Sequence, residues 1–229
     1  MMLDTGVVGY GSHDTDQPMQ PHRRSVEALI ATVSGTAFDL YPLQGLFACE
    51  QQGCLAEFHA QKGAAQVDHA YFHIACIRNA ARRFLACYEQ GALFIGMPVR
   101  ILLNRAFRFR LSQFIQQDAR LYGRLVLLLQ TDELCSSCAC TMALKPACRE
   151  LSIAGVQFGV HVLQADDPGW INSADIHGLS PCVVVRYADT LTQDHCAMQS
   201  LAKIIRRCRS AGWPLLADYR HPEWMRHMS

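Results

Sequence analysis

The residues that could do chemistry stand at the ends of short apolar runs. "GCLAEFHAQ" delivers His59 at its tip, "MPVRILLN" ends in Asn104, and "LLQTDE" leads to Asp132. "VQFGVHVL" carries His161, "CVVVRYA" leads to Tyr187, and "WPLLADY" carries Asp218. Two imidazoles and a carboxylate are a donor set for a transition metal, so His59, His161 and Asp218 form a metal site if they converge. The competing reading has the two histidines merely filling space. A second cluster is "CSSCAC" with a nearby thiol, which puts Cys135, Cys138, Cys140 and Cys148 in reach of zinc. Structural zinc normally draws two cysteine pairs, and only one C-x-x-C pair is present. Small apolar filling or reactive thiols therefore stand beside the zinc reading. His69 and His73 share one helical face, with no carboxylate at matching spacing.

The elements that must position these groups follow from periodicity and punctuation. Residues 1–24 have no period and read as a mobile N-terminal arm. "SVEALIATVSG" (25–35) opens on a cap-type serine and closes on glycine, as a helix does. Strands are expected over 38–48, with Pro42 near the middle or at an edge, and over 53–60. A long helix follows over 64–91, then a strand over 97–104 and a helix over 108–123. The apolar strand 124–130 precedes a helix over 146–155, which has proline in its first turn. Strands over 156–163 and 182–188, a helix over 194–212 and a strand over 213–219 complete the reading. After Leu43 strands and helices alternate, which implies parallel strands joined by crossover helices. Six or more such units favour a barrel, whose functional groups gather at the C-terminal ends of the strands.

Composition narrows the function classes. Half of the 229 residues are hydrophobic and 18% are charged, enough for a sizeable core. The net charge of +1 gives no broad basic footprint, so nucleic acid is not an expected partner. Basic runs such as Arg105, Arg108 and Arg110, or Arg206, Arg207 and Arg209, read as solvated helix faces. Residues 1–20 lack a basic start followed by an apolar stretch, and "LVLLL" is too short to span a bilayer. Eleven cysteines without an export signal fit reduced thiols in a cytoplasm.

The order of these segments resembles the EAL domain, the barrel of bacterial cyclic-di-GMP phosphodiesterases. "LYPLQGLFACEQQGCLAEFHAQ" is similar to the opening strand pair of the family, "QPIvdl…G.ivG.EAL", and "ILLN" to its "vNvS" strand. "LLQTDE" is similar to "lEiTE", and "CRELSIAGVQFGVHV" to "LrelGv.ialDDFG". "LSPCVVVRY" is similar to "LpvdvlKiD", and "RCRSAGWPLLADY" to "a..lg..vvAEGvE". The resemblance covers roughly residues 25–222. It implies a TIM-like (β/α) barrel of EAL type, occupying 25–229 and truncated at the C-terminus. The chain stops at Ser229, before the family's last strand.

Carried over position by position, the resemblance puts the Glu of the EAL signature on His59 and its Leu on Gln61. Asn104 retains the Asn ligand. The first Glu of "EiTE" falls on Leu129 and the second on Asp132. The paired aspartates fall on His161 and Val162, the lysine on Val185, the Glu of "AEGvE" on Asp218, and a dinucleotide-binding Gln on Tyr41. Divalent-metal hydrolysis of a phosphodiester needs hard oxygen ligands, and Leu129, Val162 and Val185 offer none. The expectation is a catalytically inactive barrel with no cofactor. It would act in bacterial cyclic-di-GMP or motility-type signalling through a protein partner such as a transcription regulator or signalling protein. Stand-alone EAL-like anti-activators of flagellar genes act in that way. Dimerisation is open. The alternatives are a non-hydrolysing cyclic-di-GMP receptor, using Tyr41, Asn104 and Asp218, or a residual phosphodiesterase with an altered metal site. Leu163, Trp170 and Ile171 are the candidate partner contacts, because apolar and aromatic residues around a disused pocket mark interfaces.

Overall fold

A computed structural model describes residues 38–45, 53–58, 69–135, 138–162, 182–186 and 195–218. The expected arm at 1–24 and the expected helix at 25–35 lie outside them. Among the described residues seven strands close into a barrel in sequence order. They are β1 (Phe38–Gly45), β2 (Gly53–Phe58), β3 (Ala92–Gly96), β4 (Leu125–Gln130), β5 (Val156–Val162), β6 (Cys182–Arg186) and β7 (Leu215–Asp218). From β2 to β7 each strand runs parallel to the next. β1 is antiparallel to both of its neighbours, β2 and β7. This is the one exception to the expected parallel order. Its pairing with β2 needs only a short connection, whereas parallel neighbours need crossovers.

Among the described residues, helices lie in four of the five parallel crossovers, the connection from β5 to β6 lying outside them: α1 (His69–Cys87), α2 (Val99–Leu102), α3 (Arg105–Gln117), α4 (Thr131–Cys135), α5 (Cys138–Ile153) and α6 (His195–Ala211). Pro42 needs no sheet edge. It faces Cys54 on β2, and the ladder to β7 runs only from Leu43 to Gly45. The missing N–H therefore costs no β7 hydrogen bond.

Period-two alternation divides the core into two layers. Leu43, Leu55, Ala92, Phe94, Val126, Leu128, Cys182, Val184 and Leu216 form a cluster inside the barrel. Their sequence neighbours, among them Cys54, Leu93, Ile95, Leu127, Leu129, Val160, Val162, Val183 and Val185, pack outward with Phe84, Phe107, Leu111, Leu151 and Ile204 of the helices. The interior is tight where strands carry glycine. A side chain at Gly159 would meet the Cys182 carbonyl and a Leu128 methyl, each at 2.7 Å.

Two expected elements move. The strand placed over 97–104 is absent. β3 lies earlier, in "ALFIG", and the Pro98 that follows Met97 is the N-cap of α2. The apolar residues Val99, Ile101 and Leu102 bury one side of a helical turn instead of a strand face. The helix placed over 146–155 begins at Cys138, so Pro146 sits inside it.

Candidate functional site

Four polar side chains from four strands meet at the C-terminal mouth of the barrel. Glu57 is the next residue after Leu55 on the inner face of β2. His161 on β5 is in register with Val184 of the interior, and Arg186 follows Val184 on the inner face of β6. Asp218 on β7 is in register with both Arg186 and Leu43. Alternation sends all four inward.

Burial grades the cluster. Asp218 is fully buried and His161 is 5% exposed, while Glu57 and Arg186 are partly open to solvent. His161 Nε2 lies 3.6 Å from Asp218 Oδ2, reaching past β6 to do so. That nitrogen is buried and has no hydrogen-bond partner among the described residues. The Arg186 guanidinium lies 3.9 Å from Asp218 Oδ2 through Nε and 3.8 Å from Glu57 Oε1 through its terminal nitrogen. The latter contact spans β7 and β1. These are ion-pair distances, longer than hydrogen bonds.

The other expected site residues divide sharply. Leu129, Val162 and Val185 are buried on the outward face, among the helices. They cannot present any group to the mouth, so they are not its disused ligand positions. The inward residues beside them are Gln130, His161 and Arg186, and Gln130 is paired in register with His161.

Asn104 is not at a strand tip. It is the N-cap of α3, where its Oδ1 accepts from the N–H groups of Ala106 at 2.9 Å and Phe107 at 3.2 Å. The tip of β3 is Gly96, which has no side chain to offer. Asp132 is exposed in the first turn of α4, where its Oδ1 accepts from the Glu133 N–H at 3.0 Å. Glu133, unmarked in the sequence reading, accepts from the Val99 N–H at 2.8 Å and so ties α4 to the start of α2. Tyr41 is half-buried against the inner cluster, and its hydroxyl donates to Asp39 at 3.5 Å. His59, Gln61, Leu163, Trp170, Ile171 and Tyr187 lie outside the described residues.

The four-thiol zinc reading fails on backbone geometry. Cys138 and Cys148 are ten residues apart in α5, a rise of about 15 Å. Cys148 is buried, and burial pushes its thiol up to about 12. Zinc binds the thiolate. Among the described residues no three His, Cys, Asp or Glu side chains are grouped to hold a metal ion. No helix among them is long and apolar enough to cross a membrane.

Glu57, Gly96, Gln130 and Arg186 were the residues missed. The available signal was strand parity. Once Leu55, Val126 and Val184 are inside, Glu57, Gln130 and Arg186 must be as well.

No protein-family model matches the sequence, and no curated protein does. Solved structures do. A Vibrio cholerae LapD chain comprising S helix, GGDEF and EAL parts, bound to c-di-GMP, superposes with a TM-score of 0.62 at 16% identity. The match covers 92% of this chain and 54% of that one, so the chain spans about half the length of that relative. The Xanthomonas citri FimX EAL domain in complex with c-diGMP gives 0.57 at 13% identity, covering 85% and 81% of the two chains. An EAL domain protein from Listeria monocytogenes gives 0.58 at 11% identity, covering 86% and 82%. The closed barrel with its antiparallel first strand has the fold of the EAL domains.

Proposed function

We propose that this chain is a non-catalytic EAL-like barrel that serves bacterial cyclic-di-GMP or motility-type signalling by binding a protein partner. One observation supports the non-catalytic part: the described residues at the strand ends do not make a divalent-metal site. β3 ends in Gly96, β4 presents the neutral amide of Gln130, β5 presents an imidazole, and β6 presents a guanidinium. Metal-assisted phosphodiester hydrolysis needs several hard oxygen donors around the ion. Among the described residues Asp218 and Glu57 are the carboxylates of the mouth, and Arg186 stands within 4 Å of both.

The face constraint also re-registers the family resemblance. The signature Glu falls on Glu57 rather than His59, and the "EiTE" pair falls on Gln130 and Glu133. The lysine falls on Arg186 and the Asn on Gly96, while His161 and Asp218 keep their places. In this frame some charge survives, but three metal-ligand positions are lost at Gly96, Gln130 and His161. A protein-contact role follows the resemblance to stand-alone EAL-like anti-activators. A cyclic-di-GMP receptor is the second reading, favoured by the partial exposure of the Arg186 cation at the mouth, where a phosphate could reach it.

Two measurements decide between these readings. Purified protein incubated with cyclic-di-GMP and Mg²⁺ or Mn²⁺ is expected to give no linear product by chromatography. Turnover above a buffer control overturns the non-catalytic reading. Calorimetric titration with cyclic-di-GMP is expected to show no saturable heat, and saturable binding without turnover establishes the receptor instead.

A further inference from the structure

We infer that the outer helices α1 and α3 form a docking seam for an acidic helix of a protein partner. The inference rests on the protein-contact reading and gives it a surface and a partner chemistry. Together α1 and α3 carry Arg78, Arg82, Arg83, Arg105, Arg108 and Arg110, and no aspartate or glutamate. The whole chain has 21 basic and 20 acidic residues, so the imbalance is local. Two carboxylates that border the pair are already engaged, Glu150 with Arg108 and Asp118 with Arg120, each at 2.7 Å. Arg83 turns to the Phe38 ring and carbonyl. Among the described residues no carboxylate forms an ion pair with Arg78, Arg82, Arg105 or Arg110, and all four side chains are exposed.

Rings hold the arginines of the seam in place. The Arg110 guanidinium lies over the Tyr71 ring, 4.2 Å from its centre, and donates to the Tyr71 hydroxyl. The Arg78 guanidinium lies over the Phe114 ring at 5.3 Å. Both contacts cross from one helix to the other, so these charges line the seam. A guanidinium resting on a ring keeps edge N–H groups for a carboxylate and loses little freedom on binding. Arg82 stands one turn beyond Arg78 on the same side of α1, a step of about 6 Å. Acidic residues four apart on a partner helix repeat at that step, so one face of such a helix meets both arginines. Phe109, next to Arg110, is 60% exposed and offers an apolar anchor, with Arg105 one turn before it. The charge is a strip on two helices rather than a broad footprint, which suits a peptide segment better than a nucleic acid. α6 is the contrast. It carries Lys203, Arg206, Arg207 and Arg209 and no acid, but there one guanidinium meets a ring, Arg207 over Trp213 at 6.0 Å. Among the described residues α6 exposes no large apolar side chain.

The test uses the full chain and a fluorescein-labelled helical peptide with glutamate at every fourth position, leucine after each glutamate and alanine elsewhere. Binding is followed by fluorescence anisotropy. Wild type is expected to bind the peptide saturably, and more weakly as salt rises. Arg78→Glu combined with Arg82→Glu should weaken binding at least about tenfold, and so should glutamine in place of the peptide's glutamates. Phe109→Ala should weaken it about threefold. Lys203→Glu combined with Arg206→Glu on α6 makes the same change in net charge and should leave binding within about twofold. If the α1 glutamate pair does not fold, Arg78→Gln with Arg82→Gln should still weaken binding at least about threefold.

Absence of saturable binding by wild type overturns the proposal. So does an equal loss in the α6 variant, which would reduce the effect to net charge. Tighter uptake of a single-stranded oligonucleotide of equal charge, or of phosphatidylserine vesicles, that depends on Arg78 and Arg82 also overturns it, because the face would then serve nucleic acid or lipid. A partner protein whose binding survives both α1 substitutions would keep the protein-contact reading and sink this surface alone. Cyclic-di-GMP enters none of these measurements, so its saturable binding would replace the protein-contact reading separately.

Discussion

At the ends of β4, β5 and β6, neighbouring residues face opposite sides of the barrel wall. Leu129 faces out and Gln130 in, Val162 out and His161 in, Val185 out and Arg186 in. The outward members are aliphatic and sealed under helices, and the inward members are polar. The outer layer carries the folding energy of the wall, because each of its side chains removes apolar surface from water. The inner mouth carries charge in a confined space, where each group must find a partner. A displacement of one residue along a strand therefore exchanges a structural position for a chemical one.

The sharpest way to break this comparison is to substitute both members of one pair. Leu129→Ala opens a cavity in a fully buried layer and is expected to cost about 3 kcal/mol in urea unfolding. Gln130→Ala, one residue on, should stay within about 0.5 kcal/mol. Equal effects would mean that the two faces are not energetically distinct.

Next in size is the mouth itself. Asp218→Asn leaves the Arg186 guanidinium without its buried counter-charge and is expected to cost about 2 kcal/mol. Glu57→Gln, at a carboxylate that solvent already reaches, should cost no more than about 0.5 kcal/mol. Reversal of that order would show that Glu57, not Asp218, anchors the guanidinium.

The outer layer also has a signature in alkali. Burial pushes the thiols of Cys76 and Cys148 up to about 12 and that of Cys208 to about 11, from an ordinary 9.0. The folded state thus favours the neutral thiol. Its contribution is complete below pH 9, where unfolded thiols are also neutral, and falls away as pH rises from 9 toward 12. At pH 10 each such thiol gives up about 1.4 kcal/mol relative to the unfolded chain. Cys148→Ala should therefore flatten the fall in stability between pH 8 and pH 10. A parallel fall in both proteins would remove burial as the cause.

The barrel was legible because its strands carry long apolar runs. "LVLLLQ" and "CVVVR" are apolar on both faces along most of their length, which only a strand covered on both sides tolerates, whereas "VQFGVHV" is apolar on its outer face and carries Gln157, Gly159 and His161 on the inner one. That same property hid the site. When both faces are apolar, the sequence does not say which residue of a neighbouring pair faces the mouth, and Leu129 and Val185 were placed on the wrong side. β2 is less ambiguous, since Leu55 and Glu57 alternate with Cys54, Ala56 and Phe58. There the pull of His59 at the strand tip displaced the acid two residues earlier. β3 was lost because "ALFIG" is only five residues long and the following "VRILL" is equally apolar. Its true character depends on Pro98 starting a helical turn and Asn104 starting the next helix.

Asn104 offers the smallest and most specific test. Read as the end of a strand, it would be a ligand, and its loss would alter binding at the mouth while leaving stability alone. In the structure its side chain accepts from two of the N–H groups that open α3, and those groups have no partner within the helix. Asn104→Ala should cost about 1 kcal/mol, Asn104→Asp should largely preserve stability, and Asn104→Gly should cost only a few tenths of a kcal/mol. None of the three should change the calorimetric response to cyclic-di-GMP, because Asn104 lies beyond β3, at the head of α3. A stable Asn104→Ala protein with an altered response to cyclic-di-GMP would return Asn104 to the mouth and overturn its assignment as a cap.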